Sequence, residues 1–382
     1  MQQEEFLSKS LLYQMSLGSK ELYHSNVWAW LIENDTSFIK VFFPRFNENE
    51  YSVLGVSREC RHRDLIVWLH KNGYPDNEQK YYLIIENKIK SLHEYKQLEG
   101  YTEYLWDNQL LLAAFTGIEN NLDQDDLYIT NENTGALWQF RSYCDISDGI
   151  RRIATASTSE VICQRLQQIY EYCDIVSSID FLLKSAKKSS CGKLSYETHG
   201  IALSDERIRL KDVFIKLKGA DFISYIKMHR AELEALCPSG KGFVLLIEQS
   251  FHNLKATLDI RFTNRRADTE HYFLIGVQIE GMQYRLCAEM DGKAHSVDNV
   301  YESLKDVWFD DTFDYRTNRR VFGRPTSMRG KYDSYGKGSN AYSFVYQYYN
   351  LDESNNKYQD LLEDIKRDMT KASEIIEASE FL

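Results

Sequence analysis

Unbroken apolar runs, rather than alternating ones, mark the first third of the chain. Tyr81-Tyr82-Leu83-Ile84-Ile85 closes directly on Glu86-Asn87-Lys88. A strand with one wet side would alternate apolar and polar residues, so this run predicts a strand covered on both faces. Side chains alternate across a strand, which puts Tyr82, Ile84, Glu86 and Lys88 on one face and Leu83, Ile85 and Ile89 on the other. A carboxylate and an amine therefore end a buried strand side by side. Upstream, Asp64-Leu65-Ile66-Val67-Trp68-Leu69 forms a second run, and the Asn72-Gly73 and Pro75-Asp76 pairs between the two are turn signals. A hairpin centred near Pro75 opposes Trp68 to Tyr82, Ile66 to Ile84 and Asp64 to Glu86. Carboxylates opposed in this way repel each other, with Cβ atoms roughly 5 Å apart. A divalent cation between them supplies a reason for the pairing, because hard cations such as Mg²⁺ take oxygen ligands.

The same patterning organises the rest of the chain. After Gly18, residues 19–33 have helical spacing, with Ser19 as N-cap and Leu22, Trp28, Leu31 and Ile32 as the core stripe. Glu21, His24 and Trp28 form a neighbouring stripe; Glu21 also fits a solvated acid near a helix start, and His24 fits a packed or capping histidine. Residues 37–43 are apolar and end at Pro44, and 51–56 suit the first strand of a sheet. Strands follow at 110–117, 127–130 and 136–143, and Asp145-Ile146 opens a helix, an α/β order with a mixed sheet. Residues 150–190 read as helical, with Ile162, Leu166, Ile169 and Cys173 at helical spacing, and 184–193 reads as a linker. Beyond it come a helix over 205–236, strands at 242–249, 254–263, 271–280 and 283–290 in a meander with Asp291-Gly292 as a turn, and a terminal helix over 353–380. The expected domains are 1–185, an α/β unit with a mixed central sheet flanked by helices, and 200–382, an α+β region with an antiparallel meander.

Composition narrows the classes. At 382 residues the chain is long enough for two domains, and 43% hydrophobic content with only 4 Pro marks it as globular. Its seven cysteines are scattered, odd in number and without a CxxC spacing, so neither a zinc site nor a disulfide framework is expected and a reducing compartment fits. The start, Met-Gln-Gln-Glu-Glu-Phe, does not resemble a signal peptide, and no run is long enough for a membrane span. The cytoplasm is the expected location. A net charge of −11 argues against indiscriminate nucleic-acid binding over the whole surface, but not against a local basic cleft.

A helix is expected after the second run, with Ser91 as N-cap and Glu94 at the capping-box spacing, and with Gln97 and Tyr101 four apart on one face. Asp64, then Glu86-x-Lys88, then Gln97-x-x-x-Tyr101 resembles the PD-(D/E)xK nuclease superfamily, in the version found in its RecB-like branch. The resemblance covers roughly residues 15 to 150. Arg63 stands where the proline of the motif's name would be. The resemblance implies a restriction-endonuclease-like core and a bound Mg²⁺ or Mn²⁺, held by Asp64 and Glu86 and completed by the carbonyl of Asn87. It further implies that Lys88 orients or activates the attacking water, that Gln97 and Tyr101 serve the site, and that Glu21 points into it from the first helix.

Two basic segments suit a nucleic-acid partner. Arg58, Arg61 and Arg63 abut Asp64, placing phosphate contacts near the metal, although a charged, solvated edge reads equally from the pattern. Between Arg316 and Lys337 stand seven basic residues and a single acid, Asp333, with Tyr315, Phe322, Tyr332 and Tyr335 interleaved. Arg316, Arg319, Arg320, Arg324, Arg329 and Lys331 there suit backbone neutralisation with base stacking, against a plain surface loop. The reading that unites these features is a metal-dependent nuclease that hydrolyses phosphodiesters; by resemblance its substrate is DNA in preference to RNA. The alternatives are a catalytically inactive nucleic-acid-binding or interaction protein that keeps the fold, and an unrelated α/β enzyme or purely structural hairpin. Strandedness, sequence specificity and oligomeric state are not encoded in any of these patterns.

Overall fold

The computed structural model describes residues 2–18, 20–74, 80–88, 98, 100–101, 109–118, 128–130, 137–198, 200–239, 241–252, 255–264, 273–291, 303–304, 306–309, 326–327, 342–351 and 356–378. The chain divides into two compact units, Met1–Ser189 with Thr198–Phe214, and Ser190–Glu197 with Ile215–Leu382. Residues 198–214, grouped with the C-terminal region by sequence, cluster instead with the first unit. Side chains explain why: the Tyr13 hydroxyl donates to the Ile208 carbonyl, the Ala202 amide donates to Glu4 at 2.7 Å, and Leu203, Ile208 and Leu210 are buried.

The first unit is built on a six-stranded sheet of order β1-β2-β3-β4-β6-β5. Its strands are β1 (Tyr51–Cys60), β2 (Arg63–Lys71), β3 (Lys80–Glu86), β4 (Gln109–Gly117), β5 (Tyr128–Thr130) and β6 (Leu137–Ser142). β1, β2 and β3 run antiparallel, β3, β4 and β6 run parallel, and β5 returns antiparallel to β6, so the sheet is mixed. This is the restriction-endonuclease-like α/β arrangement expected. The β2–β3 hairpin has the expected pairing, with Trp68 opposite Tyr82, Ile66 opposite Ile84 and Leu65 opposite Ile85.

Both faces of the central strands are covered, as an unbroken apolar run requires. Ile66, Tyr82, Ile84, Ala113, Phe115 and Trp138 pack on one face with Leu98. Leu65, Val67, Leu69, Leu83 and Ile85 alternate with them and are equally buried. The helix Lys20–Asn34 packs against β1 and β2. Its stripe differs from expectation at one position: Trp28, Leu31 and Ile32 are buried, but Leu22 is 39% exposed, and His24 and Ser25 are the buried residues of that turn. Residues 36–42 form a 3₁₀ turn, Thr36–Phe38, running into the helix Ile39–Phe42.

Two local readings are corrected. β1 continues to Cys60, so Arg58 belongs to a strand and the β1–β2 connection is the tight turn Arg61-His62. Both turn residues have positive φ, 50° and 66°. Such two-residue hairpin turns favour Asn and Gly at these positions, so neither residue announces a turn. The expected linker at 184–193 begins as the end of a 24-residue helix, Leu166–Ser189, because Leu182, Leu183 and Ala186 continue its buried stripe.

The second unit holds another six-stranded sheet, order β11-β12-β10-β9-β8-β7 and antiparallel throughout. Its strands are β7 (Val244–His252), β8 (Lys255–Thr263), β9 (Phe273–Glu280), β10 (Gln283–Asp291), β11 (Thr326–Ser327) and β12 (Tyr342–Asn350). The helix expected over 205–236 is two pieces, Lys211–Met228 and Arg230–Glu234. The terminal helix Tyr358–Ala378 packs on β8 and β9 with Leu362, Ile365, Met369 and Ala372 buried. Gly276 on β9 permits the close approach of β8 and of this helix: a Cβ there would lie 2.5 Å from the Ile260 carbonyl oxygen and 2.7 Å from Arg261 Cα on β8, and 3.1 Å from Met369 Sδ on the helix.

Candidate active site

The ends of β2, β3, β4 and β6 converge on one end of the first sheet. β2 starts where β3 stops, and β4 and β6 run parallel to β3, so Asp64, Glu86, Thr116 and Tyr143 follow from strand register alone. In α/β sheets the carboxyl ends of parallel strands are where ligands bind. Glu86 is the last residue of β3, with Asn87 and Lys88 immediately beyond the ladder.

All three motif residues are buried, at 2%, 0% and 5% exposure. Lys88 Nζ lies 2.8 Å from Glu86 Oε1. Taking two charges out of water costs several kcal/mol per ion, so a buried pair persists only with close geometry and further hydrogen bonds. The backbone that carries the pair is itself held by hydrogen bonds. The Asn87 amide donates to Asp64 Oδ2 at 2.7 Å, the Lys88 amide donates to Thr116 Oγ1 at 3.0 Å, and the Tyr143 hydroxyl donates to the Lys88 carbonyl at 2.5 Å. The Asn87 side-chain amide donates to Ser25 Oγ at 3.1 Å. Ser25 comes from the helix Lys20–Asn34 and Tyr143 from the first position of the helix Tyr143–Ala156. A capping box fixes the start of the latter: Ser142 Oγ accepts from the Asp145 amide at 3.1 Å, and Asp145 returns to the Ser142 amide at 3.3 Å.

The donor set suits a hard divalent cation. Among the described residues no three His, Cys, Asp or Glu side chains gather as a ligand group. Asp64 and Glu86, on adjacent strand ends, with the Asn87 carbonyl make two carboxylates and a carbonyl, the few-ligand oxygen set that Mg²⁺ accepts while retaining water. Two softer metals' ligands, thiolate and imidazole, are not part of it.

The other sequence candidates are placed unevenly. Tyr101 is half-buried, and its carbonyl accepts from Arg63 Nε at 2.9 Å while the Arg63 guanidinium sits 5.8 Å from its ring centroid. Arg63 is 5% exposed and also reaches the Arg61 carbonyl at 3.2 Å, so it ties the β1–β2 turn to the Tyr101 segment. Arg58 pairs with Glu33 at 2.8 Å, and Arg61 is exposed at the turn beside Asp64. His24 is fully buried, its Nδ1 3.0 Å from the Tyr172 hydroxyl, whose pKa burial raises well above its usual value. That is the packed histidine of the plainer reading. Glu21 lies in the helix Lys20–Asn34 with its side chain outside the described residues. Gln97, the Ser91 and Glu94 cap, and Arg316, Arg319, Arg320, Arg324, Arg329 and Lys331 also lie outside them. No helix among the described residues is long and apolar enough to cross a membrane.

Ser25, Thr116 and Tyr143 escaped the reading of motifs. Thr116 carried one signal, a lone polar residue at the end of an apolar strand, and Tyr143 another, its place at the head of a capped helix that follows a strand.

Comparison with known proteins bears on this site. Residues 10–174 match the family model of the PD-(D/E)XK nuclease superfamily, a span that includes Ser25, Asp64, Glu86, Asn87, Lys88, Thr116 and Tyr143. Comparison with curated proteins and with solved structures gave no significant match.

Proposed function

We propose that the first unit, which belongs to the PD-(D/E)XK nuclease superfamily over residues 10–174, is a metal-dependent hydrolase of nucleic-acid phosphodiesters and acts on DNA in preference to RNA. The observation that carries the reading is the buried Glu86–Lys88 pair at 2.8 Å, next to an Asp64 carboxylate that the Asn87 amide holds in place. Nuclease chemistry needs oxygen ligands and a fixed positive charge within one dry corner, and these three side chains supply both.

In this reading Asp64, Glu86 and the Asn87 carbonyl hold Mg²⁺ or Mn²⁺. When bound there, such an ion would supply Lewis-acid polarisation of a phosphate and a lowered pKa for a coordinated water. Lys88 orients the attacking water, and its charge offsets the negative charge that grows on the phosphoryl oxygens. Gln97 and Tyr101 orient substrate or water, as in the Gln-x-x-x-Tyr branch, and Glu21 adds a further acid. Arg61, exposed on the turn beside Asp64, contacts substrate phosphates, as does the segment from Arg316 to Lys337, whereas Arg63 acts through the turn it anchors and Arg58 through its pair with Glu33. The working location is the cytoplasm.

A cleavage assay on single- and double-stranded DNA and RNA with Mn²⁺, together with calorimetric titration of Mn²⁺ into wild type and Asp64→Ala, tests this directly. Cleavage and metal affinity lost together in Asp64→Ala support the reading. Metal affinity without cleavage of any nucleic acid would favour the inactive, binding-only alternative, and no metal affinity at all would refute the site.

A further inference from the structure

We infer that Thr116 and Tyr143 are positioning residues that aim the Lys88 amine through the Lys88 peptide, with Ser25 holding the adjoining Asn87 side chain; the inference rests on the nuclease reading of this site. β3 ends at Glu86, so Asn87 and Lys88 lie beyond its ladder. Buried N–H and C=O groups must find other partners. Here side chains from separate elements serve as those partners: Asp64 of β2 for the Asn87 amide, Thr116 of β4 for the Lys88 amide, and Tyr143 for the Lys88 carbonyl. Ser25 adds a fourth contact on the Asn87 side chain. Ser25, Thr116 and Tyr143 are fully buried, and their side chains meet the Asn87–Lys88 segment.

The Lys88 peptide is thereby fixed at its donor by Thr116 and at its acceptor by Tyr143. That matters because the lysine charge sits at the end of a flexible four-carbon stem, and any tilt of the peptide is magnified at Nζ. The Ser142–Asp145 capping box sets Tyr143 in its place. A polar clamp that only satisfied buried groups would affect stability; one that aims Lys88 must affect the rate in a way that depends on Lys88.

The test uses Tyr143→Phe, which removes one oxygen and keeps the ring, and Thr116→Val beside Thr116→Ser, which keeps the acceptor. Rates are measured well below each variant's melting temperature, and reductive methylation of Lys88 is followed by mass spectrometry. Tyr143→Phe and Thr116→Val are expected to lower kcat about 10- to 100-fold, the usual cost of losing a group that orients a site residue, without changing KM or Mn²⁺ affinity. Thr116→Ser should recover the rate, and in a Lys88→Ala background neither variant should slow the reaction further. Methylation of Lys88 should quicken in both variants. Wild-type rates, or a loss that persists undiminished without Lys88, would overturn the inference. If the wild type cleaves nothing, the nuclease reading fails by itself, and methylation still decides: unchanged protection of Lys88 sinks the clamp and faster modification upholds it.

Discussion

Replacing Lys88 by Met should destabilise the metal-free protein markedly, because it leaves the Glu86 carboxylate in a site built for its partner. The two side chains are 6% and 2% exposed and 2.8 Å apart, so solvent screening scarcely discounts their interaction. Removing one member of a buried pair costs about 3–5 kcal/mol, most of it the desolvation of the charge left behind. For a unit of about 200 residues, each kcal/mol shifts Tm by roughly 2–4 °C, so the expected fall is ~6–20 °C. Methionine keeps most of the lysine stem, which separates lost charge from lost packing. Thermal unfolding of wild type, Lys88→Met, Glu86→Gln and the double variant in chelator forms the required cycle. The double variant should recover most of the loss, since the penalty belongs to an uncompensated charge rather than to the missing amine. Mn²⁺ should then stabilise Lys88→Met more than it stabilises the wild type, as the cation meets a carboxylate no longer balanced by the lysine. A Tm for Lys88→Met equal to that of the wild type would refute the reasoning, since it would mean that the pair is not buried as the geometry has it.

Three further outcomes follow from other parts of the molecule. Asp64→Asn retains an oxygen for the Asn87 amide and relieves carboxylate repulsion, so metal-free Tm should hold or rise, whereas Asp64→Ala strands a buried donor and should lose ~1–3 kcal/mol by denaturant titration; equal losses in both would disprove the role of that hydrogen bond. Converting Arg61-His62 to Asn-Gly places favoured residues at two positive-φ positions and should gain ~1–2 kcal/mol in the same assay, and a loss would show that the turn's side chains stabilise more than its backbone strains. Gly276→Ala drives a methyl into the Ile260 and Arg261 backbone and should destabilise the second unit by ~1–3 kcal/mol or more; an unaltered unfolding midpoint for that unit would mean that β8 can shift away from β9 without cost.

Local order was readable where one pattern admits one answer. The two apolar runs around Pro75 could pair in only one way that kept Asp64 and Glu86 at the same end, and the observed partners Trp68–Tyr82 and Ile66–Ile84 are those. What escaped did so for physical reasons. The β1–β2 turn uses Arg61 and His62 at positive φ, so a junction that glycine would have announced instead looked like a basic edge. Lysines and serines at 184–189 resembled a linker because composition ignores phase, yet Ala186 falls on the buried stripe of the helix Leu166–Ser189. The partners of the Glu86–Lys88 segment were the least legible, since Thr116, Tyr143 and Ser25 stand 28, 55 and 62 positions from the residues they hold. Their meaning arises from a β3 strand that ends at Glu86, with Asn87 and Lys88 beyond its ladder. A motif of acids and a lysine names the side chains, whereas the backbone groups that must be satisfied around it state where those side chains point. Burial makes the second set as obligatory as the first, because each of those backbone groups left without a partner would cost about as much as a lost hydrogen bond.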